Sequence, residues 1–148
     1  MDKRGFSLIE LLIVMALIGV LAAIGIPRLL GVVEKNNVRS ARVAAGTLVA
    51  KGRAAAVHRG CRATLHFTSG TNGTVWLTVC QVNATGLDTL GGVELLASRF
   101  NVTFTADRDS VAFDPRGIST NFLVTTLRFT SRGVQDSIMI NQVGKVVR

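Results

Sequence analysis

Histidine occurs only twice in these 148 residues, at positions 58 and 66, and neither one sits in an HExxH, GxSxG or P-loop pattern. That scarcity removes the usual general bases and zinc ligands, so an enzyme is not expected and no cofactor or metal is implied. Acid is scarce as well: nine Asp and Glu stand against 17 Lys and Arg, for a formal charge of +8. Asp107, Asp109 and Asp114 lie close together, but Arg108 and Arg116 interleave them and EF-hand spacing is missing, which points to turns rather than calcium. Cysteine is limited to Cys61 and Cys80, without CxxC or zinc-like spacing. Proline is limited to Pro27 and Pro115.

What is present is concentrated at the N-terminus. From Phe6 to Ile26 every residue is apolar except Ser7, Glu10, Gly19 and Gly25. Twenty-one helical residues rise about 31 Å, the thickness of a bilayer's hydrocarbon core. A buried helix of a soluble domain of that length would carry a polar face, and none is visible here. Lys3 and Arg4 precede the run and no acid follows Glu10 until Glu34, so the positive-inside tendency leaves a short cytoplasmic N-terminus and exports the rest.

Helix-forming composition continues beyond the apolar run. Between Pro27 and about His58 the chain is rich in Ala, Leu, Val, Arg and Lys. At 100° per residue, Arg28, Lys35, Arg39, Arg42 and Arg53 gather within about 60°, with Leu30, Ala41, Ala44, Leu48 and Ala55 opposite. That stretch is therefore read as an amphipathic helix, its apolar side laid on a sheet. Pro27 removes one intrahelical bond and is expected to mark a helix break between membrane and globular region.

After Arg59-Gly60 the pattern turns to short β-rich runs: "CRATLHF", "TVWLTVCQV", "VELLA", "FNVTFTA", "SVAF", "FLVTTLRFT", "DSIMINQV" and "KVVR". "SGTNG", "DPRG" and "SRG" supply connections, with "DPRG" suited to a type I turn. The expected fold class is α+β, a long N-terminal helix packed on a C-terminal antiparallel sheet or sandwich. Trp76 and the phenylalanines at strand spacing are read as core.

The two cysteines set a conflict of register. Pairing Phe67 with Thr74 places Cys61 opposite Cys80, whereas a shift of one residue puts Ala63, Leu65 and Phe67 on the face of Val75, Leu77 and Val79. A disulfide fits the first and burial the second, unless a bulge reconciles them. In an exported domain oxidation of the pair is plausible.

Glu10 is the residue that needs explaining. An ionised acid within a bilayer costs about 2.5–3.5 kcal/mol on insertion scales and usually marks a partner or a function. One explanation is a carboxylate near enough to the interface to reach water. Another follows if the chain is cut between Gly5 and Phe6: the new α-amine on Phe6 lies one helical turn from Glu10, in the same chain or a neighbour, and two opposite charges buried together set the register of stacked helices.

"KRGFSLIELLIVMALIGVLAAIGIP" closely resembles the N-terminus of type IV pilins and type II secretion pseudopilins. The resemblance implies cleavage after Gly5 by a prepilin peptidase, N-methylation of Phe6, an assembly carboxylate at Glu10 and a helix-melting proline at Pro27. It divides the chain into a cytoplasmic leader over 1–5, a transmembrane and filament-core helix over 6–27, an amphipathic continuation over 28–59 and a β-rich periplasmic domain over 60–148. "LVAKGRAAAVHRG", Trp76, "FDPRGIS" and "INQVGKVVR" look like the H-type minor pseudopilin and its related type IV minor pilin, the GspH/FimT group.

Two functions follow from that resemblance. One is a minor subunit of a type II secretion pseudopilus, with sibling subunits, the inner-membrane assembly platform and membrane lipid as partners. The other is DNA capture by a type IV pilus, for which Lys145, Arg148, Arg128 and Arg132 are the candidate phosphate contacts. The arginine typical of that tail is Lys145 here, and lysine lacks the forked guanidinium contact. The rival processing route is an ordinary secretory signal cut near Ala22 or Ala23, but Glu10 and the length of the run suit it poorly.

Overall fold

The computed structural model describes residues 7–81 and 86–147 of the chain. Its elements, in order, are α1 (Leu8–Arg59), β1 (Ala63–Thr68), β2 (Thr74–Cys80), β3 (Leu87–Glu94), α2 (Leu96–Phe100), β4 (Thr103–Ala106), β5 (Ser110–Phe113), β6 (Thr125–Ser131), β7 (Val134–Ile140) and β8 (Val146–Val147). The chain divides into two units, Met1–Glu34 and Lys35–Arg148. The fold is α+β, with a long N-terminal helix and antiparallel sheets.

The first unit holds the apolar part of α1. Leu, Ile, Val and Met side chains from Leu8 to Val33 are exposed on every side of the helix. Pro27 does not break it: the helix runs through that position. A proline deletes only its own bond to the carbonyl four residues back, here that of Ala23, and the bonds on either side carry the ladder across the gap.

The second unit holds two four-stranded sheets, ordered β3-β2-β1-β5 and β4-β6-β7-β8, every pairing antiparallel. Their inner faces share one core with α1. Phe104 stacks on Phe129 at 5.3 Å between ring centroids and meets Phe67 edge-on at 6.2 Å. The helix contributes Val38, Ala41, Ala45, Val49, Gly52 and Ala56, all buried at three- and four-residue spacing. This stripe is offset from the expected one: Ala44, Leu48 and Ala55 lie on its flank, and Leu30 belongs to the first unit. Small side chains win the centre because they let the helix approach the sheets closely. At Gly52 even an added Cβ would stand 3.2 Å from Phe113 Cε2.

Most of the predicted strands are present, with three differences. "VELLA" is split, since Leu96 and Ala97 begin α2, are buried, and are tied to the first hairpin by the Ala97 N–H donating to the Gly73 carbonyl at 3.1 Å. Phe100 ends that helix instead of opening a strand, and β4 starts only at Thr103. Likewise β6 starts at Thr125, leaving Phe122, Leu123 and Val124 exposed in the preceding loop. At Leu96 and Ala97 strand propensity is overridden by burial and a tertiary hydrogen bond that the local pattern does not show.

Register follows burial. Phe67 pairs with Val75 and Ala63 with Val79. Cys61 and Cys80 nevertheless form a disulfide, Cα atoms 6.3 Å apart. The conflict dissolves because Cys61 precedes β1, in the turn leaving α1, and so is not bound to the ladder. No bulge is needed in that hairpin; the irregularity lies between β2 and β3, at Trp76/Leu77.

Candidate functional site

Glu10 lies in the first turn of α1, with its carboxylate exposed. Its N–H and that of Leu11 both donate to the Ser7 carbonyl, at 3.1 and 3.2 Å. A carboxylate there meets the positive end of the helix dipole. Among the described residues no side chain pairs with it; Gly5 and Phe6, the expected cleavage and methylation positions, lie outside them. The surrounding surface is apolar all round and long enough to cross a membrane. Exposed apolar surface on that scale marks a face that lipid or other helices cover.

The basic stripe of α1 is not one solvated face. Lys35 and Arg39 are exposed. Arg42 is half-buried, its Nε 3.1 Å from Asp136 Oδ2 on β7, an ion pair by distance whose N–H is not aimed for a hydrogen bond. Arg53 Nε donates to the Gly117 carbonyl at 2.9 Å. Two of the cations therefore fasten the helix to the β module. Spacing put them on one side of the helix, but their partners, 94 and 64 positions away, carry no local signal.

The candidate DNA contacts are spread apart. Arg128 is exposed on the outer face of β6, opposite Ser137. Arg132, exposed, occupies the β6–β7 hairpin with φ 40° beside Gly133 at 85°, a two-residue turn of the primed type. Lys145 sits at the other end of that sheet, where its N–H donates to Asn141 Oδ1 at 2.7 Å and its carbonyl accepts from the Asn141 N–H at 2.9 Å. Arg132 lies beyond Val134 and Lys145 is level with Asn141; seven residues of strand separate them by about 24 Å. Arg148 lies outside the described residues.

Trp76 is not core. It is half-buried on the outer face of the first sheet, stacked on His66 of β1 at 5.0 Å between ring centroids and 10° between planes. His66 Nε2 lies 2.9 Å from Thr78 Oγ1, and burial pushes the His66 pKa below its ordinary 6.5. Strand alternation decides the assignment: Val75, Leu77 and Val79 take the inner face, so Trp76 must face out. Among the described residues no group of His, Cys, Asp or Glu is arranged to hold a metal ion.

Comparison with known proteins gives these surfaces a family. Residues 1–26 match the prokaryotic N-terminal methylation motif, and residues 45–144 match the type II transport protein GspH. The chain belongs to the GspH family. This GspH-family chain is also 32% identical to the pilin-like protein PilA1 of Thermus thermophilus, an alignment that covers 98% of this chain and 97% of that protein. Its fold is similar to that of the type IV minor pilin FimU of Pseudomonas aeruginosa in two crystal forms. Against the first form the TM-score is 0.62 at 14% identity, over 77% of this chain and 89% of that one. Against the second it is 0.53 at 14% identity, over 74% and 90%. The family is one of structural pilin subunits, and the GspH-family chain carries its apolar helix and its α+β fold.

Proposed function

We propose that this chain is an inner-membrane prepilin, cut between Gly5 and Phe6 by a prepilin peptidase and methylated on Phe6. It then assembles as a minor subunit of a type II secretion pseudopilus. It is a structural component and not an enzyme. The carrying observation is the helical stretch from Leu8 to Ile26, exposed and apolar on all sides with one acid, Glu10, in its first turn. A bilayer covers such a surface before assembly, and other subunits' helices cover it afterwards. In both settings the Glu10 carboxylate needs a cation, and the Phe6 α-amine of the same or an adjoining subunit supplies one. The cytoplasmic end is N-terminal and the β module is periplasmic, pushed outward from an inner-membrane platform with a cytoplasmic assembly ATPase as the motor. Pro27 gives the helix a point where one missing bond lets it unwind under the strain of packing.

The test is incorporation. Full-length chain carrying Glu10→Leu is expressed with its sibling subunits, and filaments purified from the cell envelope are probed for it. The expected result is normal membrane insertion with incorporation lost. Normal incorporation of the leucine variant overturns the electrostatic account.

DNA capture by a type IV pilus is the second reading. It is favoured by the exposure of Arg128 and Lys145, neither of which is ion-paired among the described residues. Contacts spread over about 24 Å fit a duplex lying along the sheet better than a compact phosphate pocket. Full-length chain in detergent would then bind duplex DNA with a steep salt dependence. Changing Lys145 and Arg128 to Ala would flatten that slope by about two units. Binding unaffected by both changes rejects this reading.

A further inference from the structure

The first turns of the second unit carry a cationic cleft that neither reading above uses. It encloses about 390 Å³ between α1 and β7. Lys35, Val38, Arg39 and Arg42 line the helix side, and Val134, Gln135 and Asp136 line the strand side.

The charges in this cleft do not balance. At three- and four-residue spacing the three cations share one helix face, where like charges weaken the helix unless something compensates them. One acid does so in part. Asp136 Oδ2 lies 3.1 Å from Arg42 Nε and Asp136 Oδ1 accepts the Ser137 N–H at 2.9 Å, so that carboxylate is committed to Arg42 and its own strand. Glu34, the acid that precedes Lys35, is buried. Lys35 and Arg39 are exposed and form no ion pair among the described residues. The mouth of the cleft therefore holds two uncompensated positive charges, their Cβ atoms about 6 Å apart, with exposed Gln135 on the opposite lip.

Chain order names the occupant. Apolar side chains stand exposed along the helix from Leu8 to Val33, interrupted by Glu10 and Arg28. Twenty-six helical residues rise about 39 Å, more than the hydrocarbon core of a bilayer, so the stretch tilts or carries on into the interfacial layer. Lys35 follows Val33 by two positions, which brings these cations to the depth of the lipid phosphates. A phosphate diester seated between Lys35 and Arg39 removes their mutual repulsion and gains two charge-assisted contacts. Duplex DNA offers the same phosphates, but not at that depth.

We propose that the cleft between α1 and β7 binds the phosphate of an anionic phospholipid through Lys35 and Arg39 while the chain is in the membrane. The inference rests on the reading of the chain as a membrane-anchored filament subunit, and it adds the class of lipid and the residues that hold it. Glu10 plays no part in it.

Full-length chain with Gln135→p-benzoylphenylalanine is placed in nanodiscs of equal phosphatidylglycerol and phosphatidylcholine, a short DNA duplex is added outside, and the sample is irradiated. Adducts to phosphatidylglycerol should exceed those to phosphatidylcholine by about five- to thirtyfold, at the ~1 kcal/mol that each of one or two cations contributes near an anionic surface. Lys35→Gln with Arg39→Gln should abolish that preference, and raised salt should shrink it. Lys51→Gln with Arg62→Gln removes the same charge from exposed positions farther along the chain and should leave the preference intact. Retention of the Cys61–Cys80 disulfide reports that each variant is folded. Equal labelling of the two lipids, adducts to the duplex in place of lipid, or a preference untouched by the Lys35 and Arg39 changes overturns the proposal. A chain that fails to enter the nanodisc refutes the membrane-anchored reading itself, whereas one that enters and shows no lipid preference loses the phosphate site alone.

Discussion

Gly144 touches Phe113 so closely that a Cβ added to it would stand 2.7 Å from Phe113 Cε1 and 3.2 Å from the Ser119 N. The contact locks the turn before β8, in the second sheet, onto the last strand of the first. It also gives the tail motif "GKVVR" a structural reason for its glycine, separate from any role of Lys145.

Gly144 is therefore expected to be intolerant and Lys145 tolerant. Gly144→Ala meets both the close contact and a φ of 80°, and should destabilise the domain by about 2–4 kcal/mol. Lys145→Ala should stay within about 0.5 kcal/mol of the parent. The sole tryptophan, Trp76, reports unfolding by fluorescence in both variants. Equal losses from the two changes would contradict the packing argument.

Reducing the disulfide should matter more than any surface change. Cys61 and Cys80 are 19 positions apart and join the end of α1 to the end of β2. Closing a loop of that size in the unfolded chain is worth about 3 kcal/mol. The Cys61→Ser, Cys80→Ser double variant should show a correspondingly lower melting temperature, and reductant should lower that of the parent alone. A parent melting curve unchanged by reductant counts against the bridge.

Asn121 replaces the missing neighbour of β5. With Asn121→Ala the Ala112 N–H and the Ser110 carbonyl lose their partners. A loss of about 1–2 kcal/mol is expected, together with greater aggregation on mild heating, because a bare strand edge recruits other chains. Light scattering measures the second effect. Asn121→Asp retains the acceptor and loses the donor, so it should fall between the two.

His66 makes stability depend on pH in a defined direction. Its folded pKa is lowered by burial against Trp76, so the unfolded chain takes up the proton first, at the ordinary 6.5. Stability is full above 6.5, declines as pH falls from there to the folded value, and is flat in this group's contribution below it. His66→Gln should remove that decline while other variants keep it. A melting temperature that rises as pH drops below 6.5 in the parent, but not in His66→Gln, would show the sign to be reversed.

Much of the architecture was readable from residue order because it depends on local repetition. Uninterrupted apolar residues from Phe6 to Ile26 dictate a helix with no polar face, whatever else the chain does. Alternation in "TVWLTVC" and "TTLRFTS" dictates half-buried strands, and the N-terminal motif dictates the family. Phe122, by contrast, read as the opening of the β-rich run "FLVTTLRFT", and nothing in the local pattern marked Asn121. The importance of Asn121 comes from lying beside β5, which depends on how the chain returns after Phe113.

Residue order thus determined which segments become helix or strand, and which stretch seeks an apolar surrounding, since periodicity and hydrophobicity act over a few neighbours. Tertiary structure alone decided that Arg42 and Arg53 are anchors, that Trp76 faces outward on His66, that Cys61 escapes the ladder to reach Cys80, and that a cleft opens between α1 and β7. Those outcomes depend on contacts between residues as many as 94 positions apart, where the energy of a pairing is set by the packing of intervening elements and leaves no mark on local pattern.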